Sequence, residues 1–345
     1  MSSVNEGPTG MGGLHYPLTQ ISLVVTDLQK TMEYYHEAFG WSDWKVFDHV
    51  APVHHGTQLR GEDVAYSLRG AEVMVGSINF ELLQPLEGPS LWKEFLAEHG
   101  EGIASIAVMF DTREESDKVK SGFARMGIGV TMRALIGDHI EYYYLDTQDR
   151  FGCLIESGSG HAIDFVSPAQ VYGEKKTGHS GTVSSYDITQ VSVVVRDLEA
   201  KMKAYHEALG WGPWKIFQSD GDVIMHDCHM DGRPCDFFNI RWAEVQVGDI
   251  NFELIQPVAG DNPWQRMLDK HGEGVGSIAV MFKTEGESES VKQQFSTAGI
   301  GITASGRIGN HIEWYYLDTE PAFKCTIESG SGHALDFMEP TAVYP

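Results

Sequence analysis

Basic residues are scarce in this chain. Lys and Arg number 25 against 49 Asp and Glu over 345 residues, a formal net charge of −24. A surface that negative repels phosphate backbones and anionic headgroups, which argues against nucleic acid and membrane surfaces as partners. Long apolar runs are missing too, since none approaches the ~18 residues that a bilayer span needs. The opening MSSVNEGPTGMGG lacks a basic region followed by an apolar stretch, so no secretory signal is expected. Four cysteines are too few for a disulfide framework, and Cys228 and Cys235 lack the paired CxxC spacing of a structural zinc site. A reducing cytoplasm is the location that these absences suggest. Against them stand 42% hydrophobic and 21% charged residues, an ordinary globular balance with enough chain for about two domains of roughly 150 residues each.

The sequence contains itself twice. TQISLVVTDLQKTMEYYHEAFGW (19–41) returns as TQVSVVVRDLEAKMKAYHEALGW (189–211), and VGSINFELLQP (75–85) returns as VGDINFELIQP (247–257). HGEGIASIAVMF (99–110), IGDHIEYYYLDT (136–147) and CLIESGSGHAIDF (153–165) recur in the same order, 172 residues later. A tandem duplication follows. The organisation expected is a loose Gly-rich tail over 1–16, a first domain over 17–166, a linker over 167–187, a second domain over 188–338 and a short tail over 339–345.

Each copy divides again. QISLVV alternates as a strand. Asp27 is placed to cap a helix in which Leu28, Met32, Tyr35 and Phe39 recur at helical spacing, and Gly40 ends it. Three strands follow, WKVFD, DVAYSLRGAEVMV and SINFELLQP, with a variable loop between the first two. In the last of them Ile78, Phe80 and Leu82 share one face and Glu81 the other. The order repeats with SIAVMF, the helix ESDKVKSGFARMG, and the strands GVTMRALI, HIEYYYLD and FGCLIES. Each copy therefore reads as βαβββ twice, an α+β chain of four units forming two curved mixed-sheet domains.

This pattern resembles the vicinal oxygen chelate superfamily, which includes glyoxalase I, methylmalonyl-CoA epimerase, extradiol dioxygenases and bleomycin-resistance proteins. The stretch FELLQPLEGPSLWKEFLAEHGEGIASIA (80–107) is most similar to the epimerases. The resemblance implies sheets curled around a cavity, with four concave side chains holding a divalent metal that substrate oxygens chelate. Those ligand positions fall on Gln20, Glu81 and Glu156 in the first copy and on Gln190, Glu253 and Glu328 in the second. The fifth-strand histidine of the family is replaced by Ser105 and Ser277. An oxygen-rich set of this kind suits Mg, Mn or Ca better than Zn, or no metal at all, and it lacks the histidines of an iron dioxygenase.

A second constellation lies one strand away. With Asp146 as the turn residue, His139, Glu141 and Tyr143 share a face, as do His311, Glu313 and Tyr315 in the second copy, and the resemblance puts that face in the cavity. A carboxylate in mid-strand is costly unless it is paired, metal-bound or held for chemistry. His54 and His226 read as cavity-rim or surface histidines, and His161 and His333 as structural. Tyr142, Tyr144, Trp242 and Trp314 read as core packing.

These residues suit an enzyme of the isomerase or epimerase kind that moves a proton beside a carbonyl. Glu141 or Glu156 would serve as base, His139 as returning acid, and a metal, where bound, would take the enolate charge. The small-molecule carbonyl substrate is expected to be small and uncharged, with aromatic compounds included, because no basic patch offers itself to CoA phosphates. Two alternatives stay open on the same scaffold. One is a glyoxalase-like or ring-cleaving lyase, and the other is a non-catalytic binding protein of the bleomycin-resistance type. Self-association into a homo-oligomer is also left open.

Overall fold

A computed structural model describes residues 15–173, 186–219, 225–236 and 238–345. Most of the expected N-terminal tail (1–14) and the middle of the expected linker (174–185) lie outside the described residues. Two units separate, Pro17–His179 and Ser180–Pro345 with Met1–Tyr16.

The first copy runs β1 (Gln20–Val24), α1 (Leu28–Phe39), β2 (Trp44–His49), β3 (His54–Leu59), β4 (Glu62–Asp63), β5 (Leu68–Val75), β6 (Ile78–Pro85), α2 (Leu91–His99), β7 (Gly102–Phe110), α3 (Arg113–Arg125), β8 (Val130–Ile136), β9 (Ile140–Leu145), α4 (Gln148–Phe151), β10 (Leu154–Ser159), α5 (Ala162–Phe165) and β11 (Gln170–Tyr172). Helix α1 forms as its sequence predicts. Asp27 accepts from the Lys30 N–H, the apolar stripe is buried, and Gly40 closes the helix at φ 70°.

One mixed sheet results, in the order β11-β2-β5-β6-β1-β7-β10-β9-β8-β3-β4. Its centre is the antiparallel seam of β1 and β7, flanked by the parallel pairs β1/β6 and β7/β10. Each βαβββ unit thus supplies a four-stranded half, and the two halves curl toward each other. The variable loop contains the hairpin β3–β4, which pairs with β8 and extends the far half. Part of the stretch read as linker, Gln170–Tyr172, is an edge strand on β2. In the second copy Ala342–Tyr344, within the stretch read as a tail, takes the same place on Trp214–Gln218. The second sheet has the same order throughout.

Both faces of the sheet are covered. On the convex side Phe80 meets Tyr35 and Trp41 edge-on, with centroids 4.9 Å apart in each case. On the concave side Trp92 of α2 packs against Tyr66 and Tyr144. The glycines inside β10 and its copy have a steric reason. A Cβ on Gly158 would stand 2.0 Å from the Glu141 carbonyl oxygen, and on Gly330 1.9 Å from that of Glu313, so only glycine lets β9 and β10 approach so closely. Among the described residues no helix is long and apolar enough to cross a membrane.

Candidate functional site

The concave face of the first copy holds a small cavity, lined by Gln20, Glu72, Glu81 and Glu156 at its floor and by Trp92, Tyr142 and Tyr144 on its walls. The second copy holds a cavity of similar size over Gln190, Glu244, Glu253 and Glu328, walled by Trp264, Trp314 and Tyr316. Register explains the convergence. Glu72 on β5 stands directly opposite Glu81 on β6, Ser22 on β1 pairs with Glu81 on one side and with Ser105 on the other, and Glu156 on β10 pairs with Tyr144. Like charges in direct cross-strand register repel each other, so sheet stability alone would not favour this arrangement.

Hydrogen bonds tie the floor together. Gln20 Nε2 donates to Glu81 Oε2 at 2.8 Å and Ser22 Oγ donates to the same oxygen at 2.7 Å. With its nitrogen so engaged, Gln20 offers Oε1 to His161, whose Nδ1 lies 2.9 Å away and must donate. Asn79 Nδ2 donates to Glu72 Oε2 at 2.7 Å, and the Ile163 N–H donates to the same oxygen at 3.2 Å. Tyr144 takes a hydrogen bond from Trp92 Nε1 at 3.1 Å and lies against Glu156. Glu156 Oε2 and Ser105 Oγ are buried with no partner among the described residues.

Among the described residues no Lys or Arg lines either cavity. Burial therefore acts on the carboxyls with little opposition. It pushes Glu156 up to about 8, with the Tyr144 hydrogen bond pulling the other way, and Glu72 up to about 7. Glu81 goes well above the usual carboxylate range, through burial first and then the nearby Glu156 and Glu72. Glu328 and Glu253 repeat the pattern, Glu328 reaching about 8. A glutamic acid held neutral well above the usual range, beside one that titrates near 8, divides a donor from a base as pH rises toward 8.

Comparison with known proteins bears on the fold. Residues 189–316 match the Glyoxalase/Bleomycin resistance protein/Dioxygenase superfamily. A variant of 4-hydroxymandelate synthase from Streptomyces coelicolor superposes with a TM-score of 0.55 over 92% of this chain and 92% of its own, at 13% identity. Both copies have the vicinal oxygen chelate fold. A halotolerant catechol dioxygenase gives a TM-score of 0.50 over 92% of this chain and 87% of its own, at 15% identity. A Mn(II)-bound glyoxalase from Novosphingobium aromaticivorans gives 0.47 over 92% and 82%, at 12% identity. No curated protein matches the chain. At these identities the likeness is one of fold.

The vicinal oxygen chelate floor is where Gln20, Glu81 and Glu156, with Gln190, Glu253 and Glu328, were expected, and each trio lines one cavity. As arranged, these residues do not form a metal shell. Gln20 turns its amide nitrogen toward Glu81, Glu81 Oε2 already accepts two hydrogen bonds, and serine stands at the fifth-strand position. Among the described residues no three His, Cys, Asp or Glu side chains are grouped to hold an ion. The chemistry that the floor offers is that of its carboxyls.

The HxE strands are elsewhere, and their expected facing is corrected. In β9 the cavity takes Ile140, Tyr142 and Tyr144, so Glu141 and Tyr143 point to the opposite, helix-covered face. There Glu141 pairs with Lys120 of α3 at 3.0 Å, and the Tyr143 hydroxyl donates to the Ser116 carbonyl at 3.0 Å. Glu313 pairs with Lys292 and Tyr315 donates to the Ser288 carbonyl in the same way. The cost of burying these carboxylates is met by a lysine, not by chemistry. His139 and His311 precede their strands and stack on Phe165 and Phe337, outside the cavity lining. Tyr142, Tyr144, Trp242 and Trp314, read as packing, line the cavities, and so do His161 and His333. His54 and His226 are not equivalents, since His54 pairs with Ile136 and Met225 with the matching Ile308.

Proposed function

We propose that this protein is an isomerase-type enzyme that moves a proton beside the carbonyl of a small, uncharged substrate, once in each copy. The observation behind this reading is the convergence of Glu72, Glu81 and Glu156 on one aromatic-walled cavity, repeated by Glu244, Glu253 and Glu328.

Roles follow from the hydrogen bonds. Glu81 Oε2 accepts from Gln20 and Ser22, so the proton that burial keeps on this group rests on Oε1. Gly70 leaves space above that atom, since an added Cβ there would lie 3.9 Å from it. Glu81 is thus a neutral acid able to donate to a substrate carbonyl oxygen, and its hydrogen bond strengthens as that oxygen gains enolate charge. Glu156, titrating near 8 with a free Oε2, removes the proton from the adjacent carbon and then returns it. Glu72 is anchored by Asn79 and the Ile163 N–H and adds to the burial and the nearby Glu156 that keep Glu81 neutral. The apolar walls exclude water from the enolate. Glu328, Glu253 and Glu244 take the same parts in the second copy, where Ser277 Oγ adds a hydrogen bond to Glu328 Oε2 at 3.4 Å.

The test is hydrogen exchange. Full-length protein is incubated in D2O with a panel of small aryl ketones and aldehydes that carry an α-proton, and products are weighed by mass spectrometry. Deuterium gain on an unchanged carbon skeleton is expected, falling by about 10²–10⁴-fold in the double variant Glu156→Gln, Glu328→Gln. Cleaved products would identify a lyase, and undiminished exchange in the double variant would remove the base assigned here.

A further inference from the structure

The two cavities share a floor but differ in their walls. His49 lines one part of the first cavity, and a Cβ on Gly70 beside it would lie 3.4 Å from His49 Nε2. In the second copy the glycine becomes Trp242 and the histidine becomes Ser219, which turns away to accept the Ile240 N–H at 2.9 Å. A second exchange replaces Tyr142 and Ala134 by Trp314 and Gly306, and a Cβ on Gly306 would come within 3.0 Å of the Trp314 ring. In both cases a larger ring appears where a neighbour shrinks, so cavity size is kept while its chemistry changes. His54 and Tyr66 become Met225 and Phe238 as well.

A proton count shows what the first wall offers. His54 Nδ1 lies 3.2 Å from the Tyr66 carbonyl, which needs a donor, so Nδ1 carries the ring's proton and Nε2 accepts. Burial keeps this imidazole neutral, with its pKa down to about 4. The Tyr142 hydroxyl then donates to Nε2 at 2.8 Å, and the Tyr66 hydroxyl donates to the Arg133 carbonyl at 2.7 Å. The two phenol oxygens stand 3.3 Å apart with both protons directed elsewhere. At these two hydroxyls only lone pairs remain for a ligand. In the second cavity the same wall position holds Trp314, whose buried indole N–H has no partner among the described residues. An acceptor in one cavity has become an unpaired donor in the other, with His54 and Tyr66 beside it replaced by Met225 and Phe238, and Gly70 by Trp242.

We propose that the two cavities of one chain differ in specificity. The cavity of Glu72, Glu81 and Glu156 selects an aryl compound whose end distal to the carbonyl carries a hydrogen-bond donor, a hydroxyl or N–H. That of Glu244, Glu253 and Glu328 selects one whose distal end is apolar and only accepts. The placement of the carbonyl end rests on the proton-transfer reading above, whereas the selection at the distal end rests on the walls alone.

Calorimetric titration of full-length protein with 4-hydroxyacetophenone and 4-methoxyacetophenone tests this. Two classes of site are expected. The hydroxy compound prefers the one weakened by Tyr142→Phe and the methoxy compound the one weakened by Trp314→Phe, each by about tenfold, the effect of one buried hydrogen bond. The preference of the parent protein is itself the readout, so it holds even if a variant fails to fold. A single class of site with equal affinities, no binding of either compound, or variants that weaken both compounds alike overturns the proposal. The Glu156→Gln, Glu328→Gln chain is titrated in parallel. A protein that shows the preference but never exchanges deuterium refutes proton transfer alone, and one that exchanges without the preference refutes the divergence alone.

Discussion

Replacing Glu156 and Glu328 by Gln should make the protein more stable as well as inactive, and the gain should depend on pH. Each carboxyl has a usual value of 4.5 and is raised to about 8 by burial. A group whose folded value lies above its unfolded value leaves stability intact below the unfolded value and takes it away as pH rises toward the folded one. Linkage over those two values gives a cost of ~1.4 kcal/mol per copy at about pH 5.5 and ~4.6 kcal/mol at about pH 8.5. The difference of ~3 kcal/mol is a ceiling, because Glu72 and Glu81 take up part of the same titration. Glutamine is an isostere of the protonated acid and escapes the cost. Urea denaturation of parent and double variant from about pH 5.5 to 8.5 is the assay. The two midpoints should lie close together at the acid end and separate with rising pH, the variant becoming the more stable, while deuterium exchange is lost throughout. Parallel pH profiles would mean that neither glutamate changes its proton affinity on folding, and the base assignment would fall with them.

Three further outcomes follow. His139→Ala with His311→Ala should leave exchange within about twofold of the parent, since both rings stack on Phe165 and Phe337 away from the cavity lining; a loss beyond tenfold, measured in the same deuterium assay, would return the HxE strand to the site. Dialysis against a chelator should leave exchange unchanged, and a stoichiometric divalent ion whose removal abolishes it, detected by elemental analysis, would contradict a route through the carboxyls alone. Gly158→Ala should destabilise the first copy by about 3 kcal/mol in urea, because the new methyl meets the Glu141 carbonyl oxygen; an unaltered transition would show that the β9–β10 approach is not as close as described.

How much of this was legible in the sequence depended on whether a signal survived burial on both faces. The duplication and the βαβββ order were readable because repetition and helix punctuation are local. Asp27, the Leu28 stripe and Gly40 behave as their chemistry dictates. Strand facing is another matter. Every residue of β9 is buried, one face under α3 and the other over the cavity, so a polar–apolar alternation could not set its parity. The mid-strand glutamate drew attention to the wrong face because Lys120, which neutralises it, lies on a helix some twenty residues away in sequence. Aromatic residues misled in the opposite direction, since a tyrosine that walls a cavity looks the same in sequence as one that fills a core.

Glu72 was nevertheless within reach. Val75 and Ile78 flank a two-residue turn at Gly76 and Ser77, and such a turn fixes the register of the hairpin that it closes. Counting back from it sets Glu72 directly across from Glu81, on whichever face Glu81 occupies. In the second copy the turn at Gly248 and Asp249 does the same for Glu244 and Glu253. Two glutamates in direct opposition are unfavourable on an exposed sheet and worse on a buried one, so the hairpin alone implies that something other than stability keeps them there. Glu156 had been placed beside Glu81 by resemblance, without regard to Glu72. Adding Glu72 by register turns a three-residue ligand set into a carboxyl cluster. The same count thus moves the reading from metal chelation toward proton transfer, because three clustered carboxyls with no lysine or arginine among the described lining residues all have their proton affinity raised.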